Sequence, residues 1–307
     1  MKNINISWAV FIVGIFFSLN NIFAQSSPPL IVFGLIADTQ YADCESGKTR
    51  FYRNSLGKLH ESIDYFNNQK VQFTVNLGDI IDRDQKDLDS KDLDSVLICL
   101  KHLNKKIFHT TGNHDYKGIT DNKVLYKKLK MPSEYYSFMK KNWVFVFLNT
   151  NEIAAYSNVV GTAKEQELLR IQNQIKVNKE IQGARWNGGV SSRQLQWLDN
   201  LLKKSEKKNR NVLIFCHHPL YPRSQFTALN NMEILDVINR YNCVKAIFSG
   251  HHHSGAFGYF DHIPCNTVEG MIETPDKNSF GIVRIYKDRI ELEGKERMTS
   301  RLFMLQP

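Results

Sequence analysis

The 307-residue chain predicts an α/β fold on three observations. Short runs rich in β-branched and aromatic residues recur along it, segments with helical spacing separate several of them, and small polar clusters close five of the runs.

Residues 1–24 precede that pattern. Lys2, the apolar stretch WAVFIVGIFFSL at 8–19 and Ala24 ahead of the polar QSSPP have the layout of a secretory leader. The apolar stretch is short for a bilayer span, which takes about 20 residues, and no later stretch is apolar enough to span. The expected organisation is a signal peptide over 1–24 and one domain over 25–307, exported and free of membrane spans once the leader is removed.

The strand-like runs are residues 30–37, 71–77, 106–110, 144–149, 212–216 and 244–249. Between the first two, Leu56, Leu59, Ile63 and Phe66 recur at helical spacing. Leu195, Leu198 and Leu202 do so again, entered through the capping box Ser191-x-x-Gln194. Residues 150–189 are polar, partly helical in period and end in RWNGGVS, the pattern of an insertion lying over one face. From Ile263 onward the chain reads as strands and turns, with Lys287 and Asp288 at a hairpin, and a second, largely antiparallel sheet is expected there. No repeat or low-complexity tract interrupts this order.

The chain carries 40 Lys and Arg against 31 Asp and Glu, a net charge of +9. These cations are spread among polar residues, which describes a solvated basic surface, and no nucleic-acid partner is expected. Five cysteines, with no C-x-x-C pair, imply neither a disulfide framework nor a zinc knuckle.

The polar clusters are ADTQYAD, LGDIID, TGNHDY, CHHPLYP and SGHHHSG. In open α/β sheets, sites form at the carboxyl ends of strands, so the five can meet at one place. Two divalent ions about 3.5–4 Å apart need a bridging carboxylate, further oxygen or imidazole ligands, and room for a water. Asp79 is the natural bridge; Asp38, Gln40 and His253 suit one ion, and Asn113, His217 and His251 the other. Were the strands to continue, alternation would turn His218 and His252 away from this set. His114 would donate a proton or hydrogen bond to the leaving oxygen, oriented by the neighbouring carboxylate of Asp115. Gln40, an amide where an imidazole is usual, hardens the shell and favours Mn²⁺, with Fe²⁺, Co²⁺, Zn²⁺ and Mg²⁺ also compatible.

The set D-x-[HQ], GD, GNH[DE], a His after a strand and G-H-x-H resembles the calcineurin-like metallophosphoesterase superfamily. Gln in the first block, together with WNGGVSSRQLQWL, HHPLYP and EGMIETPDKNSFG, is similar to its manganese-dependent ADP-ribose/CDP-alcohol diphosphatase branch. The likeness runs from about residue 32 to 294. It implies a four-layer α-β-β-α sandwich of two mixed sheets, and the ligand roles above for Asp38, Gln40, Asp79, Asn113, His217, His251 and His253, with His114 as catalytic histidine.

The resemblance also implies hydrolysis of the phosphoanhydride bond of a small nucleotide diphosphate compound by hydroxide generated at two ions. A phosphodiesterase or phosphomonoesterase would use the same ions. A non-catalytic binding protein could keep the fold, against which stands the complete set of ligand positions. The leader, His218 in place of an apolar residue, and His252 inside G-H-x-H depart from the family's pattern. Tyr41, Tyr116, Tyr156, Trp186, Tyr221 and Phe257 are candidates for stacking a base, and Asn187, Gly188 and Gly189 for a loop near the ions.

Overall fold

Alternating side chains along the central strands set the layering. In β5 (Trp143–Phe147), Trp143, Phe145 and Phe147 join an apolar layer with Phe33 and Leu35 of β1 (Ile31–Ile36) and Leu213 and Phe215 of β6 (Asn211–Phe215). The intervening Val144, Val146, Val212 and Ile214 face the other way, into a cluster with Leu198 and Leu202 of α5 (Ser192–Lys207) and Ile234 and Leu235 of α6 (Asn231–Ile238). With a period of two, each strand buries both faces, which is why these runs are apolar throughout.

The computed structural model describes residues 27–116, 121–157 and 161–305; the leader expected over 1–24 lies outside them. Two six-stranded mixed sheets pack face to face. The first has the order β12 (Arg301–Met304), β11 (Arg289–Glu296), β10 (Ser279–Ile285), β1, β2 (Thr74–Asn76) and β3 (Ile107–His109). The second has the order β4 (Tyr136–Lys140), β5, β6, β7 (Val244–Ser249), β9 (Ile263–Thr267) and β8 (Ala256–Phe260). β1, β2 and β3 run parallel, as do β5, β6, β7 and β9. The polar clusters therefore lie beyond the carboxyl ends of parallel strands.

Outside the first sheet, α1 (Asn54–Asn68), α2 (Lys86–Leu100) and α3 (Asn122–Lys128) supply Leu59, Ile63, Phe66, Leu93, Val96 and Leu125 to a cluster with Ile36 and Ile282. The result is the four-layer sandwich that the family resemblance implies. Among the described residues no helix is long and apolar enough to cross a membrane.

The carboxyl-terminal strands correct one expectation. They build no sheet of their own: β9 joins the second sheet parallel to β7, while β10 pairs antiparallel with β1 and brings β11 and β12 to the first. Burial decides this, because Val283, Ile285, Ile290 and Leu292 complete the same apolar layer as Phe33 and Leu35. The hairpin turn at Lys287 and Asp288 closes on a hydrogen bond from Tyr286 N to Arg289 O of 2.8 Å.

The capping box is half realised. The Ser191 hydroxyl accepts from Gln194 N at 3.1 Å, but the Gln194 side chain brackets Asn149, taking its N–H at 2.9 Å and donating to its carbonyl at 3.1 Å. Residues 150–189 contain α4 (Ala163–Val177), which sets Leu168, Ile171 and Ile175 against Ile153 and Leu229.

Candidate metal centre

Past the ends of β1 and β2 the backbones stay paired: Asp38 N donates to Gly78 O at 3.0 Å and Gln40 N to Asp79 O at 2.8 Å. Alternation stops there. Asp38, Gln40, Asp79 and His251 adopt left-handed backbone conformations, with φ of 53°, 42°, 52° and 68°. Such strain costs of order 1–3 kcal/mol per residue and persists only where surrounding contacts over-determine it. Close approach of the loops demands glycine: a Cβ on Gly112 would lie 2.0 Å from Asp79 Oδ1, the oxygen that accepts from His114 N at 2.8 Å.

Each of the three imidazoles among the predicted ligands has one nitrogen committed. His217 Nδ1 donates to Leu77 O at 2.8 Å, linking the two sheets; His251 Nε2 lies 3.0 Å from Asn187 Oδ1; and His253 Nδ1 lies 2.8 Å from Glu273 Oε1. Their other nitrogens turn inward. His217 Nε2 is 3.2 Å from Asn113 Oδ1, 3.1 Å from His251 Nδ1 and 3.3 Å from Asp79 Oδ2. His253 Nε2 is 3.7 Å from Asp38 Oδ1, and the Asp38 oxygens accept from His251 N at 3.0 and 3.2 Å. Gln40 Nε2 donates to Asp79 Oδ2 at 3.2 Å, which leaves the buried Gln40 Oε1 without a protein partner.

This donor set fits divalent cations. One proton on His217 Nε2 can serve only one of three acceptors that lie 3.1–3.3 Å from it, so the other two gather there without it. A cation satisfies them all at once. Of three groups of ligand-type atoms among the described residues, one is Asp82, Asp84 and His114, and two make up this centre, Asp38, Asp79 and His253 in one and His217, His218 and His251 in the other. Asp79, with Oδ2 near His217, reaches both.

The charges agree. Burial works against ionisation of Asp79, but His217 and His114 beside it outweigh that and hold its carboxyl well below the usual range. Burial also opposes a charge on His217, yet Asp79 and Asp38 overcome it and push the imidazole up to about 9, so the metal-free site draws positive charge to itself. Burial, with His218 and His217 adjacent, pushes His251 well below the ordinary histidine range and keeps it neutral.

The carboxylate against His114 is Asp82, which contacts Nδ1 on one side and Arg50 Nη1 on the other. Asp115, expected in that role, is turned away because backbone amides claim it. Its Oδ1 accepts from Ile80 N at 2.7 Å and Ile81 N at 3.3 Å, and its Oδ2 from Gly112 N at 2.8 Å, tying the GD and GNH loops together. Asp82 lies within the LGDIID cluster, three residues after Asp79, and that spacing was the available signal. Nothing local marks Arg50 or Glu273.

His218 is not turned away either. β6 ends at Phe215, so alternation does not extend to it, and its ring centroid lies 5.0 Å from that of His217 and 4.4 Å from that of His251. His252 leaves the set and stacks on Phe226 with centroids 4.4 Å apart.

A cleft of about 640 Å³ opens over Gln40, Asp79, Asn113 and His114, with Arg50 in one wall. Of the aromatic candidates only Trp186 lines it; Phe226, which the sequence did not single out, is there too. Tyr116 is buried and bonds Thr111, Tyr156 bonds Asn151, Tyr41 packs beside the outer cluster of the first sheet, Tyr221 meets Phe260 and Phe257 stacks on Phe303.

The family model for calcineurin-like phosphoesterases matches residues 31–255. The manganese-dependent ADP-ribose/CDP-alcohol diphosphatase of Bos taurus is 32% identical over 91% of this chain and 95% of its own length, and that of Oryza sativa subsp. japonica is 32% identical over 93% and 98%. A crystal structure of a dimetal phosphatase from Danio rerio superposes with a TM-score of 0.84 at 29% identity, covering 91% of this chain and all of that one.

Proposed function

We propose that this chain, which belongs to the calcineurin-like phosphoesterase family, hydrolyses the phosphoanhydride bond of ADP-ribose, CDP-alcohols or related nucleotide diphosphate compounds with manganese. The observation that carries the reading is the convergence of Asp38, Asp79, Asn113, His217, His251 and His253 with acceptor atoms facing inward, and of Gln40, whose amide meets Asp79 and whose buried Oε1 has no protein partner. Relatives named for this reaction match nearly the whole chain, which supports the choice of substrate.

Bound there, two divalent ions would supply an activated water and would neutralise charge on phosphoryl oxygens. Asp79 lies between the two ligand groups and is kept ionised by its imidazole neighbours. Asp82 fixes Nδ1 of His114, which leaves Nε2 to donate to the oxygen departing from phosphorus. Arg50, held by Asp82 in the cleft wall, places a fixed cation beside the phosphates. ADP-ribose would thereby give AMP and ribose 5-phosphate. The leader expected over 1–24 supports an exported enzyme with one domain over 25–307, acting on its substrate outside the cytoplasm.

The test is a panel of ADP-ribose, CDP-choline, a cyclic nucleotide and p-nitrophenyl phosphate, offered to metal-free protein resupplied with Mn²⁺, Mg²⁺ or Zn²⁺. Manganese-dependent cleavage of the first two into monophosphates is the expected result. Activity confined to the cyclic nucleotide or to p-nitrophenyl phosphate would leave the family and overturn the substrate.

A further inference from the structure

The RWNGGVS segment crosses the metal centre without contributing one of the seven ligand positions. Asn187 is 2% exposed, and its side-chain amide is fully committed. Nδ2 donates to the backbone carbonyls of Gln182 at 2.8 Å and Gln225 at 2.7 Å, and Oδ1 lies 3.0 Å from His251 Nε2. Turning the amide over would set its oxygen against two carbonyl oxygens, so its orientation is fixed. An acceptor held in that place requires the proton of neutral His251 on Nε2, and the lone pair of Nδ1 is then aimed at His217 Nε2, 3.1 Å away.

The neighbours explain why the segment reads W-N-G-G. A Cβ on Gly188 would lie 2.4 Å from Thr150 O, and one on Gly189 would lie 2.5 Å from Asn230 Oδ1, so only glycine lets the chain press this closely behind His251. On the other side the Thr150 hydroxyl accepts from His218 N at 3.1 Å and gives its own proton to His218 Nδ1 at 3.0 Å. His218 Nε2 therefore donates to Trp186 O at 3.2 Å and fixes the peptide that leads into Asn187.

We infer that Asn187 is the positioning residue for His251: its amide oxygen selects the tautomer and ring orientation that present Nδ1 to one of the two ions. The inference rests on the metal reading of the site. The other two ligand imidazoles are oriented differently, His217 by a backbone carbonyl and His253 by the Glu273 carboxylate. Asn187 thus makes residues 150–189 part of the metal centre. Outer partners of metal-bound histidines typically change affinity by 10–100-fold when removed.

Calorimetric titration of metal-free protein with Mn²⁺ tests this. Wild type should take up two ions, and Asn187→Ala should weaken one of them by about 10–100-fold while the other stays in place; because the carbonyls of Gln182 and Gln225 lose their donor, the titration is run below the lowered unfolding midpoint of the variant. Two unchanged affinities in the variant would overturn the inference and leave the metal reading intact; no uptake by wild type would overturn both. A second measurement needs no variant: nitrogen–proton correlation spectra of metal-free wild type should show His251 protonated on Nε2, and protonation on Nδ1 would overturn the role of Asn187.

Discussion

Strand β6 delivers Leu213 and Phe215 to the apolar layer between the sheets and, two residues further on, His217 to the metal centre. β1 and β7 do so at a spacing of three, with Leu35 and Asp38 and with Phe248 and His251. In the apolar layer Phe33 meets Phe145 and Phe215 edge to face, each at 5.9 Å, and nothing outside the chain is needed to complete the contacts. In the centre, equally buried acceptors crowd around a single nitrogen, His217 Nε2, on a backbone bent into left-handed conformations. The apolar layer stabilises the fold by itself, whereas the centre holds backbone strain and donor atoms suited to cations. Stability and activity should therefore separate cleanly between substitutions only a few residues apart.

The strongest break is His251→Ala, which should abolish hydrolysis while the protein stays folded; turnover at the wild-type rate would remove His251 from the site. Asp82→Asn should lower kcat by about 10²–10⁴-fold, the usual contribution of a positioned acid or base, without unfolding the protein. Phe145→Ala should cost about 3–5 kcal/mol in denaturant unfolding and leave Mn²⁺ affinity unchanged below the melting temperature.

Asp115→Asn sharpens the comparison, because it changes a carboxylate near the ions that serves only backbone amides. It should destabilise by about 1–3 kcal/mol, as lost buried hydrogen bonds do, with kcat per folded molecule close to wild type. A collapse of kcat with no loss of stability would return Asp115 to the catalytic role that its place in GNHD suggests. The smallest effect is expected from Gln40→His, which should move ion preference from Mn²⁺ toward Zn²⁺ or Co²⁺ in competition titrations. An unchanged metal profile would count against Gln40 as a ligand.

Phe145 and Asp115 also mark where reading the sequence works and where it stops. A run such as 144–149 declares itself, since a strand buried on both faces must be apolar at every position and its length and composition are local properties. The polar clusters are equally plain, because charged and amide groups directly after such runs have few structural uses. Partnership is not local. Asp115 sits next to His114 in sequence, but the carboxylate against the imidazole is Asp82, brought there by the loop after β2.

The same limit governs His218 and β10. Alternation predicts the direction of a side chain only while the strand lasts, and β6 ends two residues before His217. The strands after Ile263 are legible as strands, but which sheet they complete depends on apolar faces presented by β1 and β7, far away along the chain.

The α/β layering, the five strand-end clusters and the residue types able to hold a pair of hard cations are written in the order of residues along the chain. Folding alone settles which carboxylate orients His114, that Asn187 and Glu273 stand behind His251 and His253, and which sheet each carboxyl-terminal strand completes. Periodicity and composition are carried by neighbouring residues, whereas hydrogen-bond partners and sheet order are chosen by surfaces that meet only once the chain has folded.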